Sequence, residues 1–94
     1  MKEVNKVEHT VKGWEKKYGY LGVTVHEREF FAPLLNKSFS LNFLGKMLSN
    51  RTYTTRYKRI YVGRKVLSEL EVGDILICYK DKSGNYIIEK KLDK

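Results

Sequence analysis

The spacing of apolar residues changes several times along the chain, and each change marks an element. Val4, Val7, Val11 and Trp14 recur at helical spacing in a polar stretch, which fits a short amphipathic helix or a frayed strand. Residues 1–18 then form an N-terminal arm, with Trp14 docking it on a single domain over 19–94. Tyr20 to His26 is rich in branched and aromatic residues and predicts a strand. Glu27 to Leu35 predicts a helical turn or irregular loop broken by Pro33, with Phe30, Phe31, Leu34 and Leu35 filling the core. Over Ser40–Asn50 two periods compete. Leu41, Leu44, Met47 and Leu48 share a helical face, while Phe39 to Phe43 alternates as a strand does. A short helix after a short extended piece is the favoured expectation.

Arg51 to Val62 predicts the clearest strand, because nearly every residue is Thr, Tyr, Ile, Val or Arg. Arg64 to Leu70 predicts a helical turn with Val66, Leu67 and Leu70 inward, and Val72-Gly73-Asp74 a turn. Ile75 to Lys80 and Tyr86 to Lys91 predict two strands joined through Ser83-Gly84-Asn85, a hairpin signal. The whole predicts a β-rich fold with one or two short helices, either a small barrel or a swapped-hairpin-like sheet.

Composition narrows the class. Ninety-four residues suffice for one domain with one modest core. The 41% hydrophobic and 32% charged content is that of a globular chain. No apolar run reaches the length of a membrane span, and the first residues carry no apolar leader core, so the expectation is a cytoplasmic protein without membrane contact. Cys78 is the only cysteine, which excludes an internal disulfide and any multi-thiolate zinc site; in its apolar run it predicts a buried thiol. One alanine, no glutamine and abundant Lys, Glu, Ile and Tyr lean toward a thermophile composition.

Charge changes the picture most. From Phe30 to Ser68 there is no acid, but eight cations: Lys37, Lys46, Arg51, Arg56, Lys58, Arg59, Arg64 and Lys65. The other eleven Lys and Arg equal the eleven Asp and Glu in number, so this window carries the whole net charge of +8. Unanswered charge repels itself unless a partner neutralises it, and a polyanion does so with release of counterions. A plain basic, solubilising face is the alternative.

If Arg51–Val62 is one regular strand, one face carries Arg51, Tyr53, Thr55, Tyr57, Arg59 and Tyr61. Arginine forks onto phosphate or a guanine edge, and a tyrosine ring offers a bed for an unstacked base. Tyr53 and Tyr57 are the candidates for base or sugar contact, while Lys46, Arg51, Arg56, Lys58, Arg59, Arg64 and Lys65 are the candidates for phosphate. The competing account of the tyrosines is cross-strand packing.

Tyr57 to Val62, Val66-Leu67, Leu70 to Leu76 and Gly84 to Ile88 follow one another in an order that resembles the AbrB/SpoVT swapped-hairpin family over about residues 56–90. The resemblance implies an interleaved homodimer that contacts DNA through basic residues near the first strand and turn. Similar turns occur in PUA-like RNA-binding barrels, which would make residues 20–90 one barrel. The expectation is therefore a DNA-binding regulator or architectural protein, likewise a homodimer. The alternatives are an RNA or single-strand module and a small protein-interaction module, such as a viral inhibitor of a host factor. No nucleophile motif, phosphate loop or metal-ligand cluster is present, and no cofactor or small-molecule substrate is implied. His26 beside Glu27 and near Glu29 is the one acid–base candidate, as for a small ribonuclease.

Overall fold

In the computed structural model, which describes residues 6–92, short strands alternate with single turns of helix. Strand β1 (Lys6–Thr10) leads into helix α1 (Gly13–Tyr18) and strand β2 (Tyr20–Gly22). A 3-10 turn (Val25–Glu27), helix α2 (Arg28–Phe31) and a second 3-10 turn (Ala32–Leu34) follow. Strands β3 (Ser38–Phe43) and β4 (Lys46–Thr52) form a hairpin. Strand β5 (Arg59–Tyr61), helix α3 (Arg64–Leu67), and strands β6 (Ile75–Lys80) and β7 (Tyr86–Lys90) complete the chain.

The larger sheet has the order β1-β6-β7-β3-β4, antiparallel except for the β3–β7 pair; β2 and β5 form a second, two-stranded sheet. The fold is thus β-rich, as the hydrophobic pattern predicts, but β1 and β4 end the larger sheet and no barrel closes among the described residues. Among the described residues three short α-helices stand where one or two were expected. The β6–β7 hairpin has both outer edges filled within the chain, by β1 and by β3.

Period-two alternation explains the core. Leu76 and Cys78 on β6, Tyr86 and Ile88 on β7, and Leu41 and Phe43 on β3 lie on one buried face. Phe30 and Phe31 on α2 cover it, Phe30 meeting the Tyr86 ring edge-on at 5.1 Å. The Tyr86 hydroxyl donates to the Phe30 carbonyl at 3.0 Å, so the buried phenol keeps a partner. On β1 the same alternation puts Val7 and His9 on the core side, His9 opposite Leu76.

Four expectations need correction. First, the stretch read as an arm supplies β1 and α1, which carry His9 and Glu15 into the core; Val4 lies outside the described residues. Trp14, expected to dock this stretch on the domain, packs over Gly22 and stays 40% exposed. Second, the strand at Tyr20 stops at Gly22, because the 3-10 turn Val25–Glu27 takes over.

Third, Ser40–Asn50 is a strand, a two-residue turn and a strand. Leu44 and Gly45 have φ of 53° and 85°, the pair of positive angles of a type I′ hairpin turn, and Phe43 and Lys46 close it. Fourth, Arg51–Val62 is not one strand. Tyr53 pairs with Leu35 on one side and Ile60 on the other, and both Tyr53 and Ile60 are buried. The residues between them loop outward: the Lys58 N–H donates to the Thr54 carbonyl at 2.8 Å, and Lys58 takes a φ of 54°.

Candidate nucleic-acid interface

The outward loop and the two-stranded sheet place the candidate groups. Pairing of β2 with β5 sets Tyr20 opposite Tyr61, Leu21 opposite Ile60 and Gly22 opposite Arg59. Leu21 and Ile60 point into the core, so Tyr20, Tyr61 and Arg59 share the outer face. Tyr20 and Tyr61 meet edge-to-face at 5.3 Å. The Arg59 guanidinium lies over Tyr20, at 4.1 Å from its ring centre.

Tyr57, delivered by the outward loop, lies 5.0 Å from the same guanidinium. Arg59 is thus held between two tyrosine rings, a cation–π arrangement favoured for guanidinium. Among the described residues no acceptor meets its buried Nε. Arg51 braces the neighbouring ring: its Nη1 donates to the Tyr61 carbonyl at 3.2 Å, its Nε to the Ser49 carbonyl at 2.9 Å, and its guanidinium lies 5.7 Å from the Tyr61 ring. Arg56 lies 5.3 Å from the Tyr57 ring.

Tyr20, Thr52, Thr54, Tyr57, Arg59 and Tyr61 surround a cavity of about 430 Å³ without a carboxylate. A second cavity of about 200 Å³ lies on the other side of Tyr57 and Arg59, which line both. Trp14, Lys12 and Lys58 border it, with Glu15 and Gly22 at its base.

The expected cations divide. Arg59 lines both cavities and Lys58 the smaller one, while Arg51 and Arg56 stand beside the Tyr61 and Tyr57 rings that line them. Arg64 and Lys65 are exposed on α3 and line neither; Lys46 is paired with Glu69 at 2.8 Å on the surface. Among the described residues, Lys46 is the only one of the eight central cations with a carboxylate partner, so the stretch stays unanswered in the folded chain. Tyr53 is corrected: at 4% exposure its ring packs edge-on against Phe31, at 6.4 Å, and no base can reach it. Tyr57 and Tyr61 are 55% and 49% exposed.

Beneath the smaller cavity lies a group that sequence spacing does not suggest. Buried His9 sits between two buried glutamates, Nδ1 at 2.7 Å from Glu27 and Nε2 at 2.7 Å from Glu15. Glu15 also accepts from the Lys12 N–H at 2.9 Å and the Gly22 N–H at 2.7 Å, and Glu27 from the Thr24 N–H at 3.2 Å. Burial pushes the His9 pKa down, but the hydrogen bonds and charges of Glu15 and Glu27 outweigh it and raise it to about 9. Burial likewise pushes Glu15 up, and the bonds from His9 and the Lys12 and Gly22 amides outweigh it, holding that carboxyl below its ordinary value. His9 is therefore an imidazolium donating from both nitrogens at neutral pH.

The only sequence signal for this was a histidine two residues from Val7 on an alternating strand. Glu27 turns inward to His9, so the His26–Glu27 neighbours do not form the acid–base pair considered above; His26 is exposed. Cys78 is buried, as expected, and burial pushes its thiol far above the ordinary range. Among the described residues no three His, Cys, Asp or Glu side chains converge on a metal position, and no helix is long and apolar enough to cross a membrane. No protein-family model matches this sequence, and no curated protein is similar to it.

Proposed function

We propose that this protein binds nucleic acid through the face built by β2, β5 and the Thr54–Lys58 loop, and that it prefers single strands to duplex. The observation that carries this is Arg59, held between Tyr20 and Tyr57 beside a cavity without carboxylates. A strand supplies what those groups lack: phosphates for Arg51, Arg56, Lys58 and Arg59, and unpaired bases for the exposed tyrosine rings. Stacking on Tyr57 or Tyr61 requires a base free of its own stack, which a single strand offers at little cost. A recognition helix laid along a major groove fits less well, because α1, α2 and α3 run only six, four and four residues.

A competition assay tests the proposal. Protein bound to a labelled single-stranded oligonucleotide is challenged with unlabelled single-stranded RNA, single-stranded DNA and duplex DNA, at low and at physiological salt. Single strands are expected to compete best, and affinity to fall with salt in proportion to the phosphates engaged. Affinity that ignores salt, or a duplex that outcompetes both single strands, would overturn it.

A further inference from the structure

The cavity beside Trp14 has a size and lining that the basic, aromatic character of the face does not by itself explain. Its volume, about 200 Å³, falls below the roughly 300–1,000 Å³ of sites for drug-sized ligands, which leaves room for one flat heterocycle and not for a whole nucleotide. Trp14 is seated over β2: a methyl group at Gly22 would come within 2.7 Å of its Cζ2 and 3.0 Å of its Cη2. Gly22 therefore lets the indole rest on backbone, where it is held in place yet remains 40% exposed. Tyr57 stands on the same cavity, and Lys12, Lys58 and Arg59 bring three cations to it.

The one acid there, Glu15, is already engaged. It accepts hydrogen bonds from the Lys12 and Gly22 amides and from His9, leaving about one of its four or so lone-pair sites. A carboxylate so occupied discriminates poorly between base edges, whereas an aromatic ring accepts any base. Because Tyr57 and Arg59 line both cavities, a chain lying in the larger one can send the next unit over that wall into the smaller.

We infer that the Trp14 cavity takes a single unstacked nucleobase of a bound strand, without strong preference for base identity, its phosphate meeting Lys12, Lys58 or Arg59. This rests on the nucleic-acid reading of the same face and adds to it a base-sized seat.

Trp14 is the only tryptophan in the chain, so its emission reports on that seat alone. Unaltered protein is titrated with fluorescein-labelled single-stranded oligonucleotides of each base. Anisotropy follows binding, and tryptophan emission is read in parallel with the unlabelled strands. Quenching should saturate at the same concentration as anisotropy, to a similar extent for all four bases. Trp14→Ala should weaken binding about tenfold or more, and Trp14→Phe much less. Binding that leaves emission unmoved, or equal quenching by a blunt duplex, would overturn the base seat while leaving nucleic-acid binding intact. Absence of binding by any oligonucleotide would overturn both. The emission arm needs no substitution, so a variant that fails to fold does not spoil the test.

Discussion

Removing the His9 imidazole should cost this small protein much of its stability. With His9→Ala, Glu15 and Glu27 stay buried and lose the cation that both of them face at 2.7 Å. Breaking a buried ion pair by deleting one partner costs about 3–5 kcal/mol, against about 5–15 kcal/mol for the whole stability of a domain this size. The same group sets a pH dependence. His9 rises from an ordinary 6.5 to about 9 on folding, so the folded state holds its proton more tightly than the unfolded state. That contribution is complete below pH 6.5 and is lost as pH climbs toward 9; at about 1.4 kcal/mol per pH unit it is on the order of 3 kcal/mol. Glu15 acts in the opposite sense. Its folded pKa is depressed, so its contribution is present above the ordinary 4.5 and lost as pH falls through the folded value. Stability should therefore peak between those limits, at mildly acidic pH. Urea unfolding at constant ionic strength across pH 4 to 10 measures the curve. A flat profile between pH 6 and 9, or His9→Ala unfolding within about 1 kcal/mol of the parent, would refute the charged-histidine account. His9→Ala combined with Glu15→Gln and Glu27→Gln, which removes the buried charges and keeps carbonyl acceptors for the Lys12, Gly22 and Thr24 amides, should be less harmful than His9→Ala alone.

Four further substitutions separate packing from binding. Tyr53→Ala should destabilise by about 3–5 kcal/mol in denaturant unfolding, as a core aromatic does, whereas Tyr57→Ala should leave stability within about 0.5 kcal/mol and weaken oligonucleotide binding. Gly22→Ala places a methyl group 2.7 Å from the Trp14 ring; it should shift the tryptophan emission maximum and cost about 1–3 kcal/mol in the same assay. Lys58→Gly relieves a left-handed backbone angle of 54° and should raise the unfolding midpoint, by an amount equivalent to roughly 1 kcal/mol, while lowering affinity for a single strand.

Local chemistry wrote some elements into the sequence and left others to long-range pairing. The β6–β7 hairpin was legible because Leu76 and Cys78 alternate with half-buried neighbours and Gly84, at φ 87°, marks the turn. The β3–β4 hairpin was not. Leu41, Leu44 and Leu48 share a helical face while Phe39, Leu41 and Phe43 alternate, the turn is Leu-Gly and not Asn-Gly, and the parallel pairing of β3 with β7 decides the matter from 45 residues away. The break in Arg51–Val62 was hidden for a related reason: every residue there suits a strand, and only the burial of both Tyr53 and Ile60 forces the chain out between them. At the candidate site, Arg51, Tyr57 and Arg59 were visible as a basic, aromatic run. Tyr20, Trp14 and Gly22 join them through the β2–β5 pairing and the packing of α1, which one-dimensional spacing does not encode.

The order of strands in the larger sheet bears on how the chain is made. Synthesis delivers β1 first, yet its neighbour in the sheet is β6, and the strand that joins the two halves of that sheet, β7, comes last of the seven. A nascent chain therefore carries β1 with an open hydrogen-bonding edge until β6 has emerged, and β3 with one until β7 has. The β1–β6 and β3–β4 pairs can form earlier, but they become one sheet only when β7 joins them.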